Sequence, residues 1–286
     1  MRFGWIAEHA VEFPVRLMCK LLLVSASGFY AWRGRAPSPR QTRHEQWARQ
    51  VATTFAASDR IYGSPRVYHA MRKAGVQICE NTVATLMRKQ RLRSKRVRRF
   101  VPATTDSRHD FPVAENLLAR DFTATAPDQK WVCDITYVPT DEGWLYVAGT
   151  LDLFSRKVVG LSMAEHMRVE LVGESLEMAL GGRQPKQGLL HHSDRGVQYA
   201  SDGYRQMLQQ NAIVCSMSRT GNCYDNAAME SFWCTLKTEL VYHQKFATRQ
   251  QARQMIFEYV LGFYNRVRLH SSLAYLSPEA FEAQAV

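Results

Sequence analysis

The apolar pattern changes its period along the chain. Early on the spacing is helical. Val15, Met18, Cys19 and Leu22 form a stripe that makes residues 14–34 helical, with Pro14 suited to the start. Ser25-Ala26-Ser27-Gly28 breaks the stripe before Phe29, Tyr30 and Trp32 resume it, which predicts a helical hairpin over residues 1–36. Pro37-Ser38-Pro39 is a short linker. An amphipathic helix is expected from His44 to about Ala57. Tyr62-Gly63-Ser64-Pro65 predicts a turn, with Ser64 as cap and Pro65 at the first helical position. Val67, Met71 and Ala74 mark a helix ending at Gly75, and Asn81 caps another that carries Val83, Leu86 and Met87. That pair reads as a helix-turn-helix within residues 40–100.

From Phe122 the pattern shortens to β-strands. Strands are expected at 130–138, 144–153 and 157–164, with the turn Thr140-Asp141-Glu142-Gly143 between the first two. Leu171, Val172, Ser175, Leu176 and Ala179 stripe a helix. Then come a strand ending at Asp194, a helix over 203–210, a strand over 212–217, and a helix facing inward through Met229, Phe232, Leu236 and Leu240. A last helix carries Ala252, Met255, Ile256, Tyr259, Val260 and Phe263. A three-strand meander followed by alternating helices and strands predicts an α/β fold: a mixed sheet flanked by helices over 122–286, behind an all-α region.

Charge sharpens this division. Residues 1–110 hold 21 Lys+Arg and 7 Asp+Glu, a net of +14, whereas the whole chain of 286 residues carries +11. Eight cations lie in one run: Arg88, Lys89, Arg91, Arg93, Lys95, Arg96, Arg98 and Arg99. Such a run is often only a solvated face; beside a helix-turn-helix it points to phosphate contacts with nucleic acid. Thr104 to Asp110 is polar, so 101–121 reads as a linker. The six cysteines form no C-x-x-C pair and read as reduced core thiols, not disulfides or zinc ligands. The start, with Glu8, His9 and Glu12, does not read as a signal peptide, and Leu21 to Val24 is too short to span a bilayer. A cytoplasmic, nucleoid-associated protein without membrane contact is expected.

Three acids stand out. Asp134 sits inside a β-branched and aromatic run, where an unpaired acid is out of place. Asp194 ends Leu189-Leu190-His191-His192-Ser193-Asp194 at Gly196, the mouth of a strand. Glu230 shares a polar helix face with Asn226 and Lys237. Singly, each has a bland reading: a paired core acid, a turn residue, a surface helix acid rivalled by Glu239. Together they form an oxygen-only set suited to Mg²⁺ or Mn²⁺. His192, on the Asp194 face, reads as a second-shell residue, a DNA contact or a satisfied structural histidine. Asp225 or Asn226 can cap the Glu230 helix, and Asn226 alternatively positions Glu230.

Between Asp194 and Glu230 lie 35 residues, and Lys237 follows seven after the Glu. This resembles the Asp, Asp-35-Glu signature of retroviral integrases and bacterial DDE transposases. Trp131-Val132-Cys133-Asp134-Ile135-Thr136-Tyr137, Leu151-Asp152-Leu153-Phe154-Ser155-Arg156, His192-Ser193-Asp194-Arg195-Gly196, Asp225-Asn226-Ala227-Ala228-Met229-Glu230-Ser231-Phe232 and Phe263-Tyr264-Asn265-Arg266-Val267-Arg268-Leu269-His270 are similar to phrases of the second-reading-frame transposases of insertion-sequence family three. Five phrases in order cover nearly the whole chain. Leu23 stands where such relatives carry glycine, which argues against a tight turn there.

The resemblance implies a ribonuclease H-like integrase core that cleaves and joins DNA strands with two Mg²⁺ (or Mn²⁺) held by Asp134, Asp194 and Glu230. It implies Lys237 on DNA phosphate, element ends and target DNA as partners, and a homo-oligomer on that DNA. It also implies an upstream first-frame product, fused by frameshifting in many relatives. A metal-dependent nuclease of the same fold, or a catalytically silent DNA-binding regulator, are the alternatives.

Overall fold

Five strands make one mixed sheet in the order β3-β2-β1-β4-β5. β1 (Lys130–Thr140), β2 (Gly143–Asp152) and β3 (Val158–Ala164) form the antiparallel meander. β4 (Leu190–Ser193) and β5 (Val214–Met217) join beside β1 in parallel. The fold is that of a computed structural model, which describes residues 2–95, 112–220 and 222–285. The mixed sheet flanked by helices expected from the periodicity is present, with strand ends moved by at most two residues.

Both sheet faces are covered. Trp131 and Cys133 pack toward Leu171, Val172 and Leu176 of the helix Val169–Arg183 and toward Tyr204 and Leu208 of the helix Asp202–Gln210. Val132 and Val138 pack toward Met229, Phe232 and Leu236 of Ala227–Glu239, and toward Ala252 and Ile256 of Arg249–Phe257. Alternate side chains of β1 thus feed two cores. Gly160 lets Val169–Arg183 sit close on β3: a Cβ there would lie 2.1 Å from the Ser175 carbonyl oxygen.

The phrase Tyr264-Asn265-Arg266 gains a physical role here. The helix Arg249–Phe257 continues through a π-helical stretch, Glu258–Tyr264, that delivers Asn265 to the start of β3. Val158 N donates to Asn265 Oδ1 (3.0 Å) and Asn265 Nδ2 donates to the Val158 carbonyl (2.9 Å). The side-chain amide thereby takes the place of a strand partner.

Upstream, the helices Pro39–Ala57, Ser64–Lys73 and Glu80–Lys89 pack around Val51, Phe55, Val67, Met71, Val83 and Leu86, in one core continuous with the sheet's α-helical face. Two caps differ from expectation. Gly63, not Ser64, precedes the second helix, and Cys79, not Asn81, precedes the third; neither N-cap makes a side-chain cap bond. The first helix starts earlier than His44 because Ser38 Oγ accepts from Gln41 N (3.2 Å) with Pro39 following. This unit is fastened to the C-terminal segment. Tyr62 Oη donates to the Val267 carbonyl (3.2 Å) and accepts from Leu269 N (3.0 Å), and Arg66 Nε donates to the Leu269 carbonyl (2.8 Å).

The expected linker is tied down where it is described. Leu117 N and Leu118 N donate to Ser216 Oγ on β5 (2.9 and 3.2 Å), and Leu118 is buried. The N-terminal region folds as helices Arg2–Glu8, Val15–Leu21 and Ala26–Arg33 around Ile6, Met18, Cys19 and Phe29. Its tight turn forms without glycine: Leu23 takes φ +52°, held as Val24 N donates to the Cys19 carbonyl (3.0 Å). Among the described residues no single helix is long and apolar enough to cross a membrane.

Candidate active site

The last parallel pair between β1 and β4 is Val132 with His192. Two residues further along each chain stand Asp134 and Asp194, at one level where β4 ends and leaves the edge of β1 open. The helix Ala227–Glu239 closes on that edge through two side chains. Asn226 Nδ2 donates to the Cys133 carbonyl (2.9 Å), and Trp233 Nε1 donates to Asp134 Oδ2 (3.1 Å). Asn226, Glu230 and Trp233 are four and three residues apart, so they share a helix face. Glu230 lies between two anchors on β1 and is presented to Asp134. Gly149, paired with Asp134 on β2, makes the approach possible. A Cβ there would sit 2.6 Å from Met229 Cε and 2.9 Å from Trp233 Cη2.

The carboxylates share an electrostatic field. Burial pushes the Asp134 carboxyl well above the usual range, and the Asp194 and Glu230 charges push it further. Burial and Asp194 raise Glu230 too, against the pull of Lys237. Glu230 stays exposed on one side, so its lift is the weaker. Burial lowers the Lys237 ammonium, against Asp134 and Glu230, which favour its charge. Backbone amides hold the two aspartates: Ile135 N donates to Asp134 Oδ1 (2.8 Å) and Gly196 N to Asp194 Oδ1 (2.9 Å).

Among the described residues no three His, Cys, Asp or Glu side chains are drawn together at ligating distance. Two carboxylates about 4 Å apart repel by roughly 4 kcal/mol at an effective dielectric near 20, a cost that a cation between them would relieve. The donors are all carboxylate oxygens, and burial first, then neighbouring negative charge, raises the proton affinity of Asp134 and Glu230. That chemistry fits a hard divalent cation.

The supporting residues differ from the sequence reading. His192 is buried, with Nδ1 at 2.9 Å from Ser216 Oγ and Nε2 at 3.0 Å from Ser218 Oγ, and burial pulls it down to about 4. It is the satisfied structural histidine, joining β4 to the exit of β5. Asn226 occupies the N-cap of Ala227–Glu239 but makes no cap bond; its amide goes to β1 instead. Asp225 was read as a possible cap and is an anchor. It has no solvent exposure, accepts from Arg219 Nε (2.9 Å), Arg120 Nε (2.9 Å) and Asn116 Nδ2 (2.9 Å), and is held well below the usual carboxylate range. Trp233 was missed; its spacing of three from Glu230 was the available signal.

Comparison with known proteins gives the family. Integrase core domain families match residues 124–223 and 211–278, and an HTH-like domain family matches residues 43–100. The chain is 45% identical over 264 residues to an uncharacterized 31 kDa protein of insertion element IS600 from Shigella sonnei, covering 92% of this chain and 97% of that one. It is 42% identical over 284 residues to the transposase InsF of insertion sequence IS3A from Escherichia coli K12, covering 99% and 98%. This chain belongs to the IS3 transposase family. A solved intasome of simian T-cell lymphotropic virus, in complex with the PP2A regulatory subunit B56 gamma, aligns over 81% of this chain and 74% of that one, with a TM-score of 0.48 and 13% identity.

In the transposase the basic run divides. Arg88 and Lys89 end the helix Glu80–Lys89 and are exposed, as are Arg91 and Arg93. Lys95 is turned inward: its ammonium donates to Asp59 Oδ2 (2.8 Å) and to the Glu239 carbonyl (3.0 Å). It ties the helix-turn-helix unit to the helix that bears Glu230. Arg96, Arg98 and Arg99 lie outside the described residues. Lys237 leans over the Tyr137 ring, 5.2 Å from its centroid.

Proposed function

We propose that this transposase cuts and joins DNA strands at Asp134, Asp194 and Glu230, which hold two Mg²⁺ or Mn²⁺ ions. The observation that supports the reading is geometric: Asp134 on β1 and Asp194 just past the end of β4 follow the last parallel pair by two residues each, and Glu230 lies on the helix that Asn226 and Trp233 fasten to β1. The transposase is a polynucleotidyl transferase that acts on DNA. The bound ions would activate the attacking oxygen and stabilise the leaving 3′ oxygen. Asp134, gripped by Trp233 and by its own strand, sets the centre of the ligand set. Asp194 and Glu230 each complete one side. Water is the nucleophile for nicking and the freed 3′-hydroxyl for joining, so no serine or tyrosine nucleophile is needed. Lys237 neutralises phosphate beside the acids. Arg88, Lys89, Arg91 and Arg93 hold the duplex by its backbone, in a salt-sensitive way.

We propose too that the transposase acts as a homo-oligomer on element ends and target DNA, and works with, or fused by frameshifting to, the upstream first-frame product. Asp194→Asn is the test, with Mg²⁺ and labelled DNA from the element's end. The variant is expected to bind DNA as the parent does and to lose both cleavage and joining. Retained cleavage would remove Asp194 from the ligand set. Cleavage without joining by the parent would favour a nuclease.

A further inference from the structure

Beside the acids lies an aromatic surface that the cleavage and joining steps do not use. Tyr137 and Trp144 stand on β1 and β2 near the tip of their hairpin, where Tyr137 pairs with Tyr146 and Pro139 with Trp144. Register places Tyr137, Tyr146 and Trp144 on one face of the sheet. The covering helices reach Ile135 and Tyr146, which pack against the core, but not Trp144, which is 49% exposed. The two rings pack edge to face with centroids 4.9 Å apart, so the indole is braced. Its backbone is braced as well: Arg249 Nε donates to the Trp144 carbonyl (3.1 Å).

The ledge is continuous with the acids. Beyond Val132 the edge of β1 has no strand beside it, and across that gap Lys237 places its ammonium over the Tyr137 ring. The same ammonium lies within electrostatic reach of Asp134 and Glu230. Tyr242, 42% exposed, lies within electrostatic reach of Tyr137. An exposed, rigid indole with a cation between it and a strand-cutting centre matches what a single nucleotide presents: a flat base and a phosphate. A base inside a duplex has both faces covered, whereas an unpaired one can lie flat on a ring.

We propose that Trp144 and Tyr137 form a stacking ledge for an unpaired base of the DNA strand whose phosphate lies at Asp134, Asp194 and Glu230, with Lys237 on the adjoining phosphate. This deepens the strand-transfer reading and rests on it. The ledge favours a frayed end over a fully paired one and holds the displaced nucleotide while the strand is cut.

The test is DNA binding without divalent metal, so that it stands apart from catalysis. Two duplexes from the DNA flanking the coding region are compared, one fully paired and one with unpaired terminal nucleotides that include 2-aminopurine. The parent is expected to prefer the unpaired end and to quench its fluorescence. Trp144→Leu should weaken binding to the unpaired end about 5- to 150-fold and lose the quenching. Its binding to the paired duplex should be unchanged, which also reports an intact fold. Trp144→Phe should restore most of the preference. Equal losses on both duplexes, or no loss on either, would overturn the ledge. Loss of self-association by Trp144→Leu with unchanged DNA binding would overturn it also, and assign the surface to contact between copies. A parent that shows the preference but never joins strands would sink the strand-transfer reading and leave the ledge standing.

Discussion

Gly149→Ala probes the seat of the Glu230 helix with a single methyl group. Glycine inside a strand costs about 0.5–1 kcal/mol relative to alanine, so in open space the substitution would stabilise. Here the new Cβ meets Met229 Cε at 2.6 Å and Trp233 Cη2 at 2.9 Å. The methionine tip can swing aside; the indole, buried and bonded to Asp134, cannot. Overpacking of this kind costs about 1–3 kcal/mol, which cancels or outweighs the gain. The expected net is a loss of up to about 2 kcal/mol, or a fall in melting temperature of several degrees at roughly 2–4 °C per kcal/mol. Displacing Trp233 also loosens Asp134, so cleavage should fall on the order of tenfold to hundredfold while duplex binding holds. Gly181→Ala is the matched control. It lies in Val169–Arg183 with nothing within 4 Å of the added Cβ, and should stabilise by about 0.5–1 kcal/mol. Thermal melts of both variants with a cleavage assay decide the matter. A Gly149→Ala protein that melts higher than the parent and cuts normally would refute the claim that this glycine seats the helix.

Two other perturbations address the anchors. Glu239→Gln leaves the Arg268 guanidinium buried without its anion, where both oxygens had been engaged at 2.8 and 2.6 Å, and should cost about 3–5 kcal/mol in urea unfolding; an unchanged midpoint would show the pair to be dispensable. Asp225 is held below its usual value of 3.8, so its contribution is complete above that pH and fades as pH falls below it. Asp225→Asn should therefore destabilise at neutral pH and flatten the fall in melting temperature between pH 4 and 2; parallel curves for variant and parent would remove Asp225 from the acid transition.

The sequence by itself determined the order of the elements and singled out three acids as candidates. Alternation through Val132, Asp134 and Thr136 fixes a strand whose acid faces the same side as its buried valines, and a helical stripe through Met229, Phe232 and Leu236 fixes which side of that helix is inward. These are local rules of period, carried by neighbours in the chain. Tertiary structure alone decided who touches the acids. Trp233 reads from sequence as one more apolar residue, and only the seating of its helix on Gly149 turns its Nε1 to Asp134. Asp225 reads as a cap until Arg120 and Arg219 converge on it, one of them 105 residues away. Lys95 reads as one of eight cations until it meets Asp59 and Glu239. Period reports which face of an element is buried; it carries no information on which distant side chain meets it, because that depends on how the elements pack.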